Sequence, residues 1–200
     1  MSVCVALTDI DWTLTRDVVA IIGTIGALAI GLAGLGTWRR QLHGTSKYEV
    51  ARRAILLAYE MRDAIQAVRS PILQLRREEI DAGRRIEEEQ RIYDERMQRL
   101  YEKWSQLRTI ILETKAIWGE KAEAQFRALQ GLVGTMRAEI WLHFWLKGAY
   151  AAPGATVDNT PERVAKNRKV IYWTSDDDEF SQKIDAAIHP VEIFFQRKMR

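Results

Sequence analysis

The sequence predicts an all-α protein, with an N-terminal transmembrane helix followed by a cytoplasmic up-down helical bundle of about four helices that includes a long antiparallel hairpin. Three observations carry this prediction. Val18 to Trp38 is a run of 21 residues without a charge. Downstream, apolar residues recur three and four positions apart over long stretches, the period of a helix with one buried face. Residues that start and stop helices fall between those stretches.

The uncharged run comes first in the chain. At about 1.5 Å of rise per residue it makes a helix roughly 31 Å long, the thickness of a hydrocarbon core. The 17 residues before it carry Asp9, Asp11 and Asp17 against Arg16, which is the wrong charge for the n-region of a cleaved signal peptide. The flank after it carries Arg39, Arg40, Lys47, Arg52 and Arg53 against Glu49. Positive flanks stay inside, so the N-terminus is expected outside and the bulk of the chain in the cytoplasm, at the inner (plasma) membrane in a single pass. Trp12 and Trp38 bracket the span at the positions of interfacial aromatics. Gly23, Ala27 and Gly31, four apart, stack small residues on one face and predict self-association in lipid. Thr24 and Thr37 are the only polar side chains in the run, so the lumen of a helix cluster would be mostly apolar. The expected organisation is a short extracytoplasmic tail (1–17), the transmembrane helix (18–38), a basic juxtamembrane linker (39–45) and the cytoplasmic bundle (46–200).

Gly44 breaks the pattern, and Ser46 with Glu49 forms a capping box that predicts a new helix. Its seam is Ala51, Ala54, Ala58, Met61, Ile65 and Val68, widened by Leu56 and Leu57, and Ser70-Pro71 ends it. From about Glu79 to Trp118 runs the longest helical pattern, with Ile86, Tyr93, Met97, Leu100, Trp104, Leu107, Ile111 and Trp118 on one heptad seam. Asp81 to Arg85, Glu87 to Arg91 and Glu95 to Arg99 are acid-before-base pairs four apart. Arginines at 76–77 and 84–85 are interleaved with Glu78, Glu79, Glu87, Glu88 and Glu89, which reads as a solvated face rather than a nucleic-acid surface.

Gly119 stops this helix. The next, from roughly Lys121 to Leu146, turns Ala122, Phe126, Leu129, Val133, Met136 and Ile140 inward, completing the hairpin. Gly148 to Asn159 is a loop. Thr160-Pro161 starts a short helix, with Thr160 as cap and proline at the first helical position. Lys169 to Thr174 is too short to assign. Ser175 and the acids Asp176 to Glu179 cap a final helix carrying Phe180, Ile184, Ala187, Ile188, Val191, Phe194 and Phe195, which Pro190 is expected to kink or interrupt.

Composition bounds the chemistry. The chain has 200 residues, 47% hydrophobic and 28% charged, enough for a real core and unlike a disordered chain, a collagen-like fibre or a polytopic transporter. Thirty basic residues against 27 acidic ones give a formal net charge of +3, too even to name nucleic acid as a partner. A single cysteine, Cys4, excludes an intrachain disulfide framework and a four-cysteine zinc site. Phosphate loops, dinucleotide fingerprints, HExxH and nucleophile elbows are missing, so no cofactor and no metal is expected. His43 and His189 read as positional. Arg137 and His143, in RAEIWLH, are the one pair with catalytic chemistry to offer: an arginine to stabilise phosphorane-like charge and a histidine to move protons. His143 also continues the apolar seam after Ile140, where a hydrogen-bonded core histidine is the alternative, and Glu139 one turn earlier is its expected partner.

That Arg-x4-6-His spacing resembles the signature of HEPN ribonucleases, helical proteins whose dimers bring two such motifs together. Ala138 after Arg137 departs from the polar residue usual there. The segments WRRQLHG, YEVARRAILLAYEMRDAI, AIWG and VIYWTSDDDEFSQKI resemble a group of prokaryotic single-pass membrane-anchored helical proteins, which lends no activity and no catalytic residues. The layout is more distantly similar to membrane-anchored HEPN-like accessory proteins of RNA-targeting CRISPR systems, which oligomerise at the membrane. The function expected is a membrane-tethered, non-enzymatic helical interaction module, self-associating and acting as scaffold, sensor or effector. The alternatives are a HEPN-like ribonuclease or defence accessory protein and an oligomeric membrane pore. Membrane lipid, a second copy of the chain and a protein are the expected partners; nucleic acid is not.

Overall fold

A computed structural model describes residues 12–150, 154 and 156–199. Cys4, Asp9 and Asp11 lie outside these, as do the side chains of Trp12, Arg39, Arg40 and His43. Regular structure among the described residues is helical throughout: α1 (Trp12–Val68), α2 (Arg77–Asp81), α3 (Arg85–Trp118), α4 (Glu120–Ala124), α5 (Arg127–Leu146), α6 (Pro161–Ile171) and α7 (Glu179–Met199). The chain divides into two compact units, Met1–Ser46 and Lys47–Arg200.

In the first unit, Arg16–Gly34 of α1 is 19 residues long with a mean hydropathy of 2.0, long and apolar enough to cross a membrane. None of it is buried by the rest of the protein. Ile30 is 76% exposed, where a core helix of a soluble domain would hide such a side chain. The Thr24 hydroxyl donates to the Ala20 carbonyl at 2.8 Å, so the polar group within this stretch is satisfied by its own helix. The break expected at Gly44 does not occur, and α1 runs unbroken through residues 39–46. A helix-interior glycine costs only about 1 kcal/mol relative to alanine, which a long helix absorbs. Glu49 pairs with Arg52 at 3.4 Å rather than closing a capping box.

In the second unit the seams pack as their spacing dictates. Ala51, Ala54, Ala58, Met61, Ile65 and Val68 of α1 are buried, with Leu100, Leu107 and Ile110 of α3, Phe126, Leu129 and Met136 before and along α5, and Ile184, Val191 and Phe195 of α7. Leu56 departs from the expectation: it is 45% exposed, while Leu57 is half-buried. The long helix begins at Arg85 rather than Glu79, because Ala82 and Gly83 form a turn in which Gly83 takes φ 73°. Gly119, at φ 76°, ends α3 as expected. Phe126 then separates the single turn α4 from α5. Lys115 near the end of α3 meets Glu123 of α4 at 2.7 Å, and Glu89 near the start of α3 meets Lys147 just beyond α5, so the end of α5 lies against the start of α3.

Thr160 caps α6 by accepting from the Arg163 amide, with Pro161 in the first turn. The KVI of the unassigned stretch completes α6, and Tyr172 is extended. Within the expected capping run Ser175 to Glu179, Asp178 caps α7: its Oδ1 accepts from the amides of Phe180 and Ser181 at 3.0 and 2.8 Å. α7 continues through Pro190, which is exposed, between buried Ile188 and Val191. Packing on both sides of the proline outweighs its missing N–H.

One buried cation joins three of these elements. Arg69, immediately after α1, has no exposed surface. Its Nε donates to the Val170 carbonyl at 2.8 Å and its Nη1 to Ser181 Oγ at 2.9 Å. Its Nη2 donates to the carbonyls of Lys169 and Tyr172 and lies 2.8 Å from Asp178 Oδ1. Removing one partner of a buried ion pair costs about 3–5 kcal/mol, because the other is left buried and unpaired. Arg69→Met is therefore expected to lower stability by about that amount in urea unfolding followed by tryptophan fluorescence. Leu112→Ser, at a position 63% exposed, should stay within about 0.5 kcal/mol of the native chain.

Candidate functional site

The titratable residues that the sequence marks as solvated converge at the helix ends of the second unit. Glu88 and Glu89 are buried, at 2% and 5% exposure, which corrects the reading of a fully solvated face. The reason is helical phase: Glu89 lies three residues after Ile86 and four before Tyr93, so the α3 seam carries it inward.

Glu89 is held from α5 and the residue that follows it. Its Oε1 lies 3.2 Å from His143 Nε2 and also accepts from Lys147 Nζ. Burial pushes the Glu89 carboxyl up, but the hydrogen bonds from His143 and Lys147 outweigh it and hold the group down to about 2. Glu139, expected to partner His143, instead accepts at its Oε2 from Asn167 Nδ2 at 2.8 Å and at its Oε1 from Arg163 at 3.2 Å. Helix α6 thereby captures Glu139, leaving His143 to α3.

Around this pair the walls are aromatic. The Tyr93 ring lies 5.8 Å from His143 and 5.5 Å from Phe144, and Tyr172 lies 5.9 Å from His143. Burial raises the Tyr93 phenol well above its ordinary range and also raises the Tyr172 phenol, with the Glu89 charge adding to both. The Tyr93 hydroxyl is buried and has no hydrogen-bond partner. Here a carboxylate, an imidazole and a phenol meet in a buried cluster, which suits a structural latch; His143 itself is 6% exposed.

Arg137 is not part of this cluster. It is exposed on α5 and makes no side-chain ion pair or hydrogen bond among the described residues. Six residues of helix place it about 120° away from His143. A single chain therefore does not bring Arg137 and His143 together. The transmembrane self-association residues Gly23, Ala27 and Gly31 are all exposed, and a Cβ added at Gly23 or Gly31 would meet nothing. No group of three or more metal-ligating side chains occurs among the described residues.

Alongside lies a second ionic centre that sequence spacing misassigns. Glu88 accepts from Arg76 Nη2 at 2.6 Å and from Arg91 Nη2 at 2.8 Å. Arg91 also binds Glu95, and Arg77 binds Asp81 at 3.8 Å. The pairs four apart on this face, Arg77 with Asp81 and Arg91 with Glu95, run base before acid, and the three expected acid-before-base pairs do not form among the described residues. The guanidiniums of Arg76 and Arg91 hold the Glu88 carboxyl far below the usual carboxylate range. Signals for these residues were present: Arg69 is four after Ile65, Glu89 four before Tyr93, and Glu139 three after Met136, all at inward positions of their seams.

A depressed carboxylate pKa stabilises the fold above the unfolded pKa, near 4.3 for glutamate, and that contribution is lost as pH falls through the folded value. The Glu89 contribution is therefore fully present at pH 7 and lost between about pH 4.3 and pH 2. Glu89→Gln should be less stable at pH 7 and should show a shallower loss of stability over that window, read from urea midpoints at stepped pH. An unchanged pH profile would remove Glu89 from the latch. No family model, curated protein or solved structure matches this chain, so the arrangement of Glu89, His143, Lys147 and Tyr93 stands on its own geometry.

Proposed function

We infer that the chain is a membrane-tethered, non-enzymatic helical interaction module, single-pass at the inner membrane with its N-terminus outside. It self-associates and acts as a scaffold, sensor or effector through its cytoplasmic helical bundle. The observation that carries this reading is the Arg16–Gly34 helix: long, apolar, and unburied by any part of its own chain. Exposed apolar surface of that extent needs a non-aqueous partner, and a bilayer supplies one. The small residues Gly23, Ala27 and Gly31 support helix–helix approach within lipid. The engagement of His143 with Glu89, and the different face occupied by Arg137, favour a binding role over RNA cleavage.

The tests are direct. The native chain should remain in the membrane fraction after alkaline carbonate extraction, and a reporter active only in the cytoplasm should work at the C-terminus; a silent reporter would overturn the orientation. Crosslinking in membranes should give oligomers that Gly23→Ile with Gly31→Ile reduces several-fold. A monomer in both cases would sink self-association through this face.

A further inference from the structure

We propose that the cleft between the segment following α1 and the outer face of α3 is a binding site for an oxyanion, phosphate or carboxylate, carried on a short apolar group. The cleft has a volume of about 410 Å³ and is lined by Ser70, Ile72, Gln74, Arg91, Ile92, Glu95, Arg96 and Arg99. That volume is within the range of small-molecule sites.

The charges in it are not balanced. Arg91 is neutralised by Glu88 and Glu95. Arg96 is engaged only by neutral groups: its Nη1 donates to the carbonyls of Val68 and Ser70 at 3.3 and 2.7 Å, and its Nη2 to the carbonyl of Ile72 at 2.5 Å. These bonds orient the guanidinium and leave its charge without a carboxylate. Arg99 makes no ion pair among the described residues, because Glu95, its expected partner, turns back to Arg91. The cleft thus presents two positive charges without counter-charge. One of them is fixed by backbone, and the other, Arg99, retains a free planar fork that matches a carboxylate or phosphate bidentately.

The remaining lining specifies what the anion is attached to. Ile92 is buried in the floor and Ile72 stands at the rim, 71% exposed, an isoleucine that the chain's own core leaves uncovered. Ser70 and Gln74 add uncharged polar groups. A bare anion would use the arginines and leave Ile72 in water, whereas an anion with a short alkyl tail would use both.

Calorimetric titration of the full-length chain in a non-ionic detergent tests this with four probes: inorganic phosphate, hexyl phosphate, hexanoate and uncharged hexanol. Saturable binding of hexyl phosphate or hexanoate, tighter than inorganic phosphate and absent with hexanol, is expected. Arg99→Gln should weaken it about tenfold, the loss of one charge-assisted bidentate contact. That side chain is exposed and unpaired, so its replacement leaves the fold intact, which an unchanged urea midpoint checks. Ile72→Ser should weaken the hexyl anions and leave inorganic phosphate unchanged. Failure of every anion to bind, binding indifferent to Arg99→Gln, or hexanol binding as well as hexyl phosphate would each overturn the assignment.

Discussion

A single guanidinium determines how the second unit closes. Arg69 stands where α1 ends and where the carbonyls of α6 and the amides of α7 would otherwise be left without partners. A helix C-terminus offers unpaired C=O groups and an N-terminus unpaired N–H groups. Arg69 satisfies the first directly and the second through Asp178, whose carboxylate lies between the guanidinium and the Phe180 and Ser181 amides. Burial pushes the Asp178 carboxyl up, yet these amide and guanidinium bonds hold it down to about 2. Only an arginine has enough donors, in a rigid enough fork, to do this from one position. The Phe180 ring, 4.9 Å below the guanidinium, completes the enclosure.

The same solution recurs at neighbouring helix ends. Arg96 gathers the carbonyls of the irregular segment after α1, and Glu88 ties Arg76 to the first turn of α3. Chain that is neither helix nor strand has backbone groups to satisfy, and burying it requires side chains that bring donors and acceptors with them. Most of the buried charge therefore collects where the helices stop, with Glu139, midway along α5, as the exception. A buried ion pair adds little stability over an apolar equivalent, but breaking one is costly.

This explains which parts of the molecule could be read in advance. Every apolar position assigned to the seam of α5 is buried, since periodicity and hydrophobicity there agree. At Arg69, Glu89 and Glu139 they disagree: phase points inward and composition outward. Phase prevails because another element supplies a partner, and that partner is remote in sequence, 54 residues away between Glu89 and His143. Local rules failed for the same reason on the outer face of α3. Acid-before-base spacing assumes that each side chain is free to choose its neighbour, whereas buried Glu88 takes Arg91 as well as Arg76, which leaves Glu87 without its expected arginine. Gly44 is the converse case: a residue-level preference worth about 1 kcal/mol does not break a helix this long.

The balance between binding and chemistry follows from these commitments. A histidine that moves protons for a substrate must reach it, and His143 is enclosed by Tyr93, Phe144 and Tyr172 while its Nε2 contacts Glu89. Using it would mean separating α5 from α3 and leaving the Glu89 carboxylate to Lys147 alone. A binding role requires no such opening, since Arg99 and Ile72 already face solvent. Under the proposed membrane tether, such a surface would need less affinity, because confinement to a membrane raises the effective concentration of a partner held at the same surface. An anchored domain can then work through shallow, weak and reversible contacts.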